Sequence, residues 1–205
     1  MPNYCNNVAI LKHTDPAMIE RAINAVSNNS FFQEFIPCPD ELLNTVKGFM
    51  KQGSPEQAAL EAQHAVNIEK YGYATWYDFC TNEWGTKWDI SDGNHSIADD
   101  ELTISFDTAW CPPLEAYAKL LDLGFEIRAY YYESGMVFAG IWDNGEDDCY
   151  SEWNGSKGAK EMLPEELDEM FAIVEGLEMW EDDEEESDRR DESNGLYPDK
   201  IDIAN

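Results

Sequence analysis

Alternating apolar segments interleaved with helical spacings predict an α+β fold, an antiparallel sheet carrying helices on one face. Three observations support this. Leu102, Ile104 and Phe106 alternate with Thr103, Ser105 and Asp107, the period of a half-buried strand. Ile19, Ala22, Ile23 and Val26 recur at the i, i+3, i+4, i+7 spacing of an amphipathic helix. A chain of 205 residues, 43% hydrophobic and 13% aromatic, can bury one substantial core but hardly two large ones.

Residues 5–12 read as a first strand, with Val8 and Ile10 on one face. Asp15 offers an N-cap and Pro16 the first helical residue, and Ser27-Asn28-Asn29-Ser30 breaks the helix they open. Residues 31–75 form a helical insertion. Within it Phe35-Ile36-Pro37-Cys38-Pro39 is extended, residues 40–51 give a short helix, and Ser54-Pro55-Glu56-Gln57 is a capping box. The helix opened by that box is alanine-rich, with Leu60, Val66 and Ile68 as its bulky apolar groups, which suits a surface helix ended by Gly72. A strand is expected over Thr86–Ile90, then a Ser91-Asp92-Gly93-Asn94 turn.

Pro113 opens a helix carrying Leu114, Tyr117, Ala118 and Leu121, and Gly124 stops it. Phe125–Tyr132 and Met136–Trp142 pair as a hairpin about Glu133-Ser134-Gly135. Ile127, Ala129, Val137, Ala139 and Ile141 would face the helices, leaving Tyr130, Tyr132, Phe138 and Trp142 on the other side under the insertion. Cys149–Trp153 is expected as an edge strand. Pro164 starts a last helix with Leu167, Met170, Phe171 and Val174 on one face. The order β-α-insert-β-β-α-β, with an added hairpin strand and C-terminal helix, is the split βαβ arrangement of ferredoxin-like folds. The expectation is one domain over 1–177 and an acidic, largely disordered tail over 178–205. Residues 178–192 hold ten acids against two arginines.

The charge constrains function more than any motif does. With 43 acidic and 13 basic side chains the net charge is −30. Such a field opposes direct binding to nucleic acid or to anionic membrane, and favours basic partners. No apolar run is long enough to span a bilayer, and Met1-Pro2-Asn3-Tyr4 reads as a mature cytoplasmic start. Cys5, Cys38, Cys80, Cys111 and Cys149 are scattered and never spaced as C-x-x-C, so neither a disulfide framework nor a zinc or iron–sulfur site is expected.

Asn82-Glu83-Trp84-Gly85-Thr86-Lys87-Trp88-Asp89 and Thr108-Ala109-Trp110-Cys111-Pro112-Pro113 are the most specific stretches of the chain. Together with Met1-Pro2-Asn3-Tyr4-Cys5-Asn6-Asn7 they resemble the signature blocks of the YubB-type family, phage- and plasmid-encoded proteins of unknown function with a ferredoxin-like domain. The resemblance runs over about residues 1–143 and includes Gly135 and Gly140. Tyr4 stands where the family has Trp, and Cys111 where it has Ser. The resemblance implies a mobile-element setting in a host cell.

Each candidate chemistry has a plainer reading beside it. Lys87 and Asp89, two apart on the expected strand, would share a face as an acid/base pair, or form a surface ion pair. Trp84, Gly85, Thr86, Trp88, Trp110, Pro112 and Pro113 read as packing and turn residues. Cys111 at a helix start is a cap before it is a nucleophile. Asp143-Asn144-Gly145-Glu146-Asp147-Asp148 lacks the ligand spacing of a calcium loop, so no metal or other cofactor is expected. The function expected is that of a non-enzymatic acidic protein binding a basic, nucleic-acid-binding host protein by nucleic-acid mimicry. Its partner surface would comprise Asp143, Glu146, Asp147, Asp148, Glu161, Glu165, Asp168, Glu169 and Glu175. The alternative is a small-ligand protein or enzyme with a site between the insertion and the sheet around Lys87 and Asp89.

Overall fold

A computed structural model describes residues 3–98 and 101–193. The expected apolar islands at 196–198 and 201–203 lie outside the described residues. Contacts divide the chain into two units, residues 1–149 and 150–205, whereas the composition had placed the boundary at 178.

In the first unit β1 (Tyr4–Lys12) leads to α1 (Pro16–Ser27), whose Asp15 cap accepts the Ala17 N–H at 2.9 Å. The insertion follows as α2 (Phe31–Phe35), α3 (Asp40–Leu43), α4 (Pro55–Tyr71) and α5 (Trp76–Glu83). Then come β2 (Ser91–Ala98), β3 (Glu101–Ala109), α6 (Leu114–Asp122), β4 (Glu126–Glu133), β5 (Phe138–Asp143) and β6 (Glu146–Ser151). The fold is α+β, with six strands in the order β2-β3-β1-β4-β5-β6. β3 pairs antiparallel with both β2 and β1, so β1 and β2 run parallel with β3 inserted between them. That is the split βαβ arrangement the element order predicted, with β4 antiparallel on the far side of β1.

The core lies between one sheet face and the helices. Ala9, Leu11, Leu102, Ile104, Phe106, Ile127 and Ala129 meet Ala22, Val26, Ala116, Tyr117 and Leu120 there. The insertion contributes Phe31, Phe32, Phe35 and Leu42 to this same core, so it packs on the helix side of the sheet. Helix α4 is the surface helix its thin apolar stripe predicted. Its buried residue is Asn67, whose amide donates to Thr45 Oγ1 (3.1 Å) and to the Ala74 carbonyl (2.9 Å).

Two expectations fail in register. The strand expected over Thr86–Ile90 is a loop, and the strand is Ser91–Ala98 instead. Polar groups of 86–90 are spent on other elements, as described below, so no ladder forms there. The real edge strand is mostly exposed and shows no apolar alternation to read. In the β4–β5 hairpin the turn extends through Val137, which adopts a left-handed φ of 57°. The buried Glu133 carboxylate holds this longer turn by accepting the Gly135 and Met136 N–H groups. The extra turn residues reverse the facing of β5. Trp142 lies opposite Ala129 on the helix face and packs on Tyr117 at 5.3 Å, while Ile141 lies opposite Tyr130 on the other face. Tyr130 and Trp142 are buried, as expected of the hairpin aromatics, but on opposite faces. Gly140 leaves the space Tyr131 needs: a Cβ there would sit 2.2 Å from the phenol oxygen, which donates to Asp147 at 2.8 Å.

In the second unit α7 (Gly155–Met162), α8 (Glu165–Phe171) and α9 (Ile173–Ser193) replace the single last helix expected from Pro164. The chain bends at Ala172 (φ 50°), where the Asp168 carboxylate accepts the Val174 N–H at 2.8 Å. What the composition read as a tail is helical to Ser193, because one of its acids has structural work. Glu181 accepts both the backbone N–H (2.8 Å) and the hydroxyl (2.6 Å) of Ser156 in the first turn of α7. Glu185–Arg189 and Glu186–Arg190 add i, i+4 pairs along the exposed helix.

Candidate functional site

The two signature blocks meet at one end of the sheet. Trp84 ends α5, buried, with its indole N–H donated to the Ile36 carbonyl at 2.9 Å and its ring against Phe32 and Phe79. Gly85 adopts φ 79°, and a Cβ there would press within 3.2–3.3 Å of the Leu114 and Glu115 backbone nitrogens. Only glycine lets this turn lie against the start of α6. The buried Thr86 hydroxyl donates to the Ala109 carbonyl (3.3 Å) and accepts the Ala109 N–H (3.2 Å), tying the turn to the end of β3. Pro112 and Pro113 are buried before α6.

Asp89 works inward. Its carboxylate accepts the N–H groups of Phe32 (2.9 Å), Gln33 (2.8 Å) and Ile90 (2.8 Å), capping α2. Burial raises its pKa, and the backbone donors offset part of that rise. Lys87 works outward: its ammonium lies over the Trp88 ring at 4.1 Å and the Trp110 ring at 5.2 Å. The two side chains thus serve different surroundings, and the structure does not bring them together as an acid/base pair.

Trp88 and Trp110 are 41% and 42% exposed, and Tyr4 is 49% exposed. Trp110 adopts φ 70°, and its N–H donates to the Asn3 carbonyl at 2.9 Å. An open groove of about 350 Å³ runs beside Tyr4 and Trp88, lined also by Ser91, Asp107 and Ala109 among others. The sequence assigns Trp88 and Trp110 to packing and marks Tyr4 only as part of the first signature block, with no surface role. An aromatic residue directly before the expected first strand is the signal the sequence carries for it.

The nine acids expected to form one surface are divided between the units. In the first, Asp143 pairs with Arg128 at 2.6 Å, and Glu146, Asp147 and Asp148 are exposed along β6. In the second, Glu161, Glu165, Glu169 and Glu175 are exposed, while Asp168 is the half-buried cap of the α8–α9 bend. The denser run of acids lies further along α9. Glu178, Asp182, Asp183, Glu184, Glu185 and Glu186 are all exposed there. Among the described residues no group of three or more His, Cys, Asp or Glu side chains could hold a metal ion, and no helix is long and apolar enough to cross a membrane.

Cys111 donates its thiol to the Gly85 carbonyl at 3.0 Å, and burial raises its pKa, the opposite of what a nucleophile needs. Burial also pushes up Cys38, to about 11, and raises Cys5 and Cys80. Cys149 is exposed. A bulky aromatic disulfide reagent at mildly alkaline pH should therefore label Cys149 within minutes and the other four only on unfolding. Rapid native labelling of Cys111, located by peptide mass, would reopen its candidacy as a nucleophile.

No family model matches the chain, and no curated protein sequence matches it. Among solved structures it is similar to the crystal structure of a protein api92 from Yersinia pseudotuberculosis, described with the family-model DUF1281. Identity is 13% over 76% of this chain and 99% of that one, with a TM-score of 0.40. A likeness that loose transfers neither function nor site residues.

Proposed function

We propose that the protein is a non-enzymatic acidic interaction protein that occupies the nucleic-acid-binding surface of a basic host protein. One observation carries the reading. From Glu178 to Glu186, seven of nine residues are acidic on a helical run. Glu181 is bound to Ser156, so at a rise of about 1.5 Å per residue the six exposed acids give one carboxylate per roughly 2.3 Å of axis, of the order of the one charge per about 1.7 Å of a DNA duplex. Exposed acids on β6 and α8 extend the same sign of field over both units. The mobile-element setting implied by the signature blocks fits an inhibitor of host defence.

The alternative, a site around Lys87 and Asp89, is the less supported reading, since Asp89 is engaged by three backbone donors. The test is affinity capture from host extract over a salt series, followed by the purified partner. Affinity should fall at least about tenfold between roughly 50 and 200 mM salt and be competed by duplex DNA. Reversing the exposed Glu165, Glu169, Glu178 and Asp182 to lysine should abolish binding while the unfolding transition stays cooperative. Binding that ignores salt and survives the reversal overturns the mimicry.

A further inference from the structure

We infer that the aromatic end of the sheet, where Trp88 and Trp110 flank Lys87 and Trp88 also lines a groove with Tyr4, is a seat for a lysine or arginine side chain of the basic partner. The inference rests on the partner being basic, and adds a specific contact to a field that alone would bind any cationic surface.

The signature blocks divide into two functional halves. Trp84, Gly85, Thr86 and Asp89 have complete internal roles, each joining the turn to α2, α6 or β3. Trp88, Trp110 and Tyr4 have none of that kind and keep 41–49% of their surface in water. Leaving two indoles wet forgoes a large burial term, and aromatic residues so placed are typical anchors of recognition surfaces. Trp110 is further held in the left-handed region, which a bulky side chain enters only at an energetic cost. The backbone is strained at the residue whose ring projects outward.

Lys87 shows what such a site accepts. In a chain with 43 acids and 13 basic residues its ammonium has no carboxylate partner among the described residues, and it rests over two indole faces instead. Ring faces at 4.1 and 5.2 Å already hold a cation. Asp107, beside Tyr4 and Trp88 in the groove lining, accepts the Asn6 amide on Oδ1 at 2.7 Å and keeps Oδ2 for an incoming guanidinium or ammonium. Arginine suits this combination best, because its plane stacks on a ring while its edge meets a carboxylate. A nucleotide would bring phosphate into a field of net charge −30. Lys87 is then a resident occupant that the partner's side chain displaces or joins.

The test uses the full chain labelled with 5-fluorotryptophan and titrated with an oligo-arginine peptide. The Trp88 and Trp110 fluorine resonances, assigned with Trp88→Phe and Trp110→Phe, should shift, while those of buried Trp84 and Trp142 stay in place. An oligo-asparagine peptide should move none of them. Trp88→Ala should weaken the peptide by about 3- to 30-fold, Trp88→Tyr should restore most of the loss, and Lys87→Gln should tighten binding. If the peptide binds but Trp88 and Trp110 do not respond, the seat is refuted and the acidic-surface reading stands. If they respond while reversal of Glu165, Glu169, Glu178 and Asp182 leaves affinity unchanged, the seat stands and the acidic-surface reading fails. No binding at low salt refutes both.

Discussion

Replacing Trp84 by alanine should destabilise the first unit by about 3–5 kcal/mol, the range for deleting a large aromatic from a packed core. Trp84 is 4% exposed and touches Phe32 and Phe79, so its loss leaves a cavity walled by other aromatics that cannot collapse without moving α2. The Ile36 carbonyl also loses its indole donor in a buried setting. Trp84→Phe should recover most of the packing term and none of the hydrogen bond, landing about 1–2 kcal/mol below the parent. Urea unfolding followed by far-UV circular dichroism measures both. A Trp84→Ala loss under 1 kcal/mol would show that this turn does not close the core.

Asp89→Ala should cost about 3 kcal/mol or more, because three backbone N–H groups lose one acceptor together. Asp89→Asn separates charge from geometry. The carboxyl's pKa is raised above its ordinary 3.8 by burial, so it is ionised in the folded protein at a cost. That penalty is present above the raised folded value and vanishes below the unfolded one. The parent should therefore gain stability relative to Asp89→Asn as pH falls through that window. Denaturant midpoints compared from neutral pH down to about pH 4 check the sign. An advantage of the parent that shrinks on acidification would mean that the backbone donors outweigh burial.

Both variants touch the loop where sequence reading and structure part company. The 84–89 block is legible as special from its composition, and its glycine and buried tryptophan fall where turn and packing rules put them. Which of its side chains face outward was not legible. As a strand, Lys87 and Asp89 would share a face. As a loop, its side chains are held by partners outside it: Thr86 by Ala109, 23 residues away, and Asp89 by the start of α2, 56 and 57 residues away. The candidate binding surface was for that reason beyond local pattern.

Local pattern was enough for the α+β class, β3, α1 and α6, the caps at Asp15 and Ser54, the stop at Gly72 and the acidic field. Each of these is written in residues within a few positions of one another, as a period of two or 3.6, as a side chain that caps its own helix, or as a sum of charges. Tertiary structure alone decided the rest. Edge strand β2 has no apolar face and exists because β3 offers it a ladder. The facing of β5 follows from a turn that Glu133 lengthens, which turns Trp142 inward. The helix through 178–193 has its anchor in Glu181 on Ser156, 25 residues upstream. For β2 and for the 178–193 helix the deciding partner is a polar backbone group made available only by another element, and such a requirement leaves no periodic mark on the chain that satisfies it. For β5 it is the side chain of Glu133 closing its own turn, which no period of two or 3.6 records.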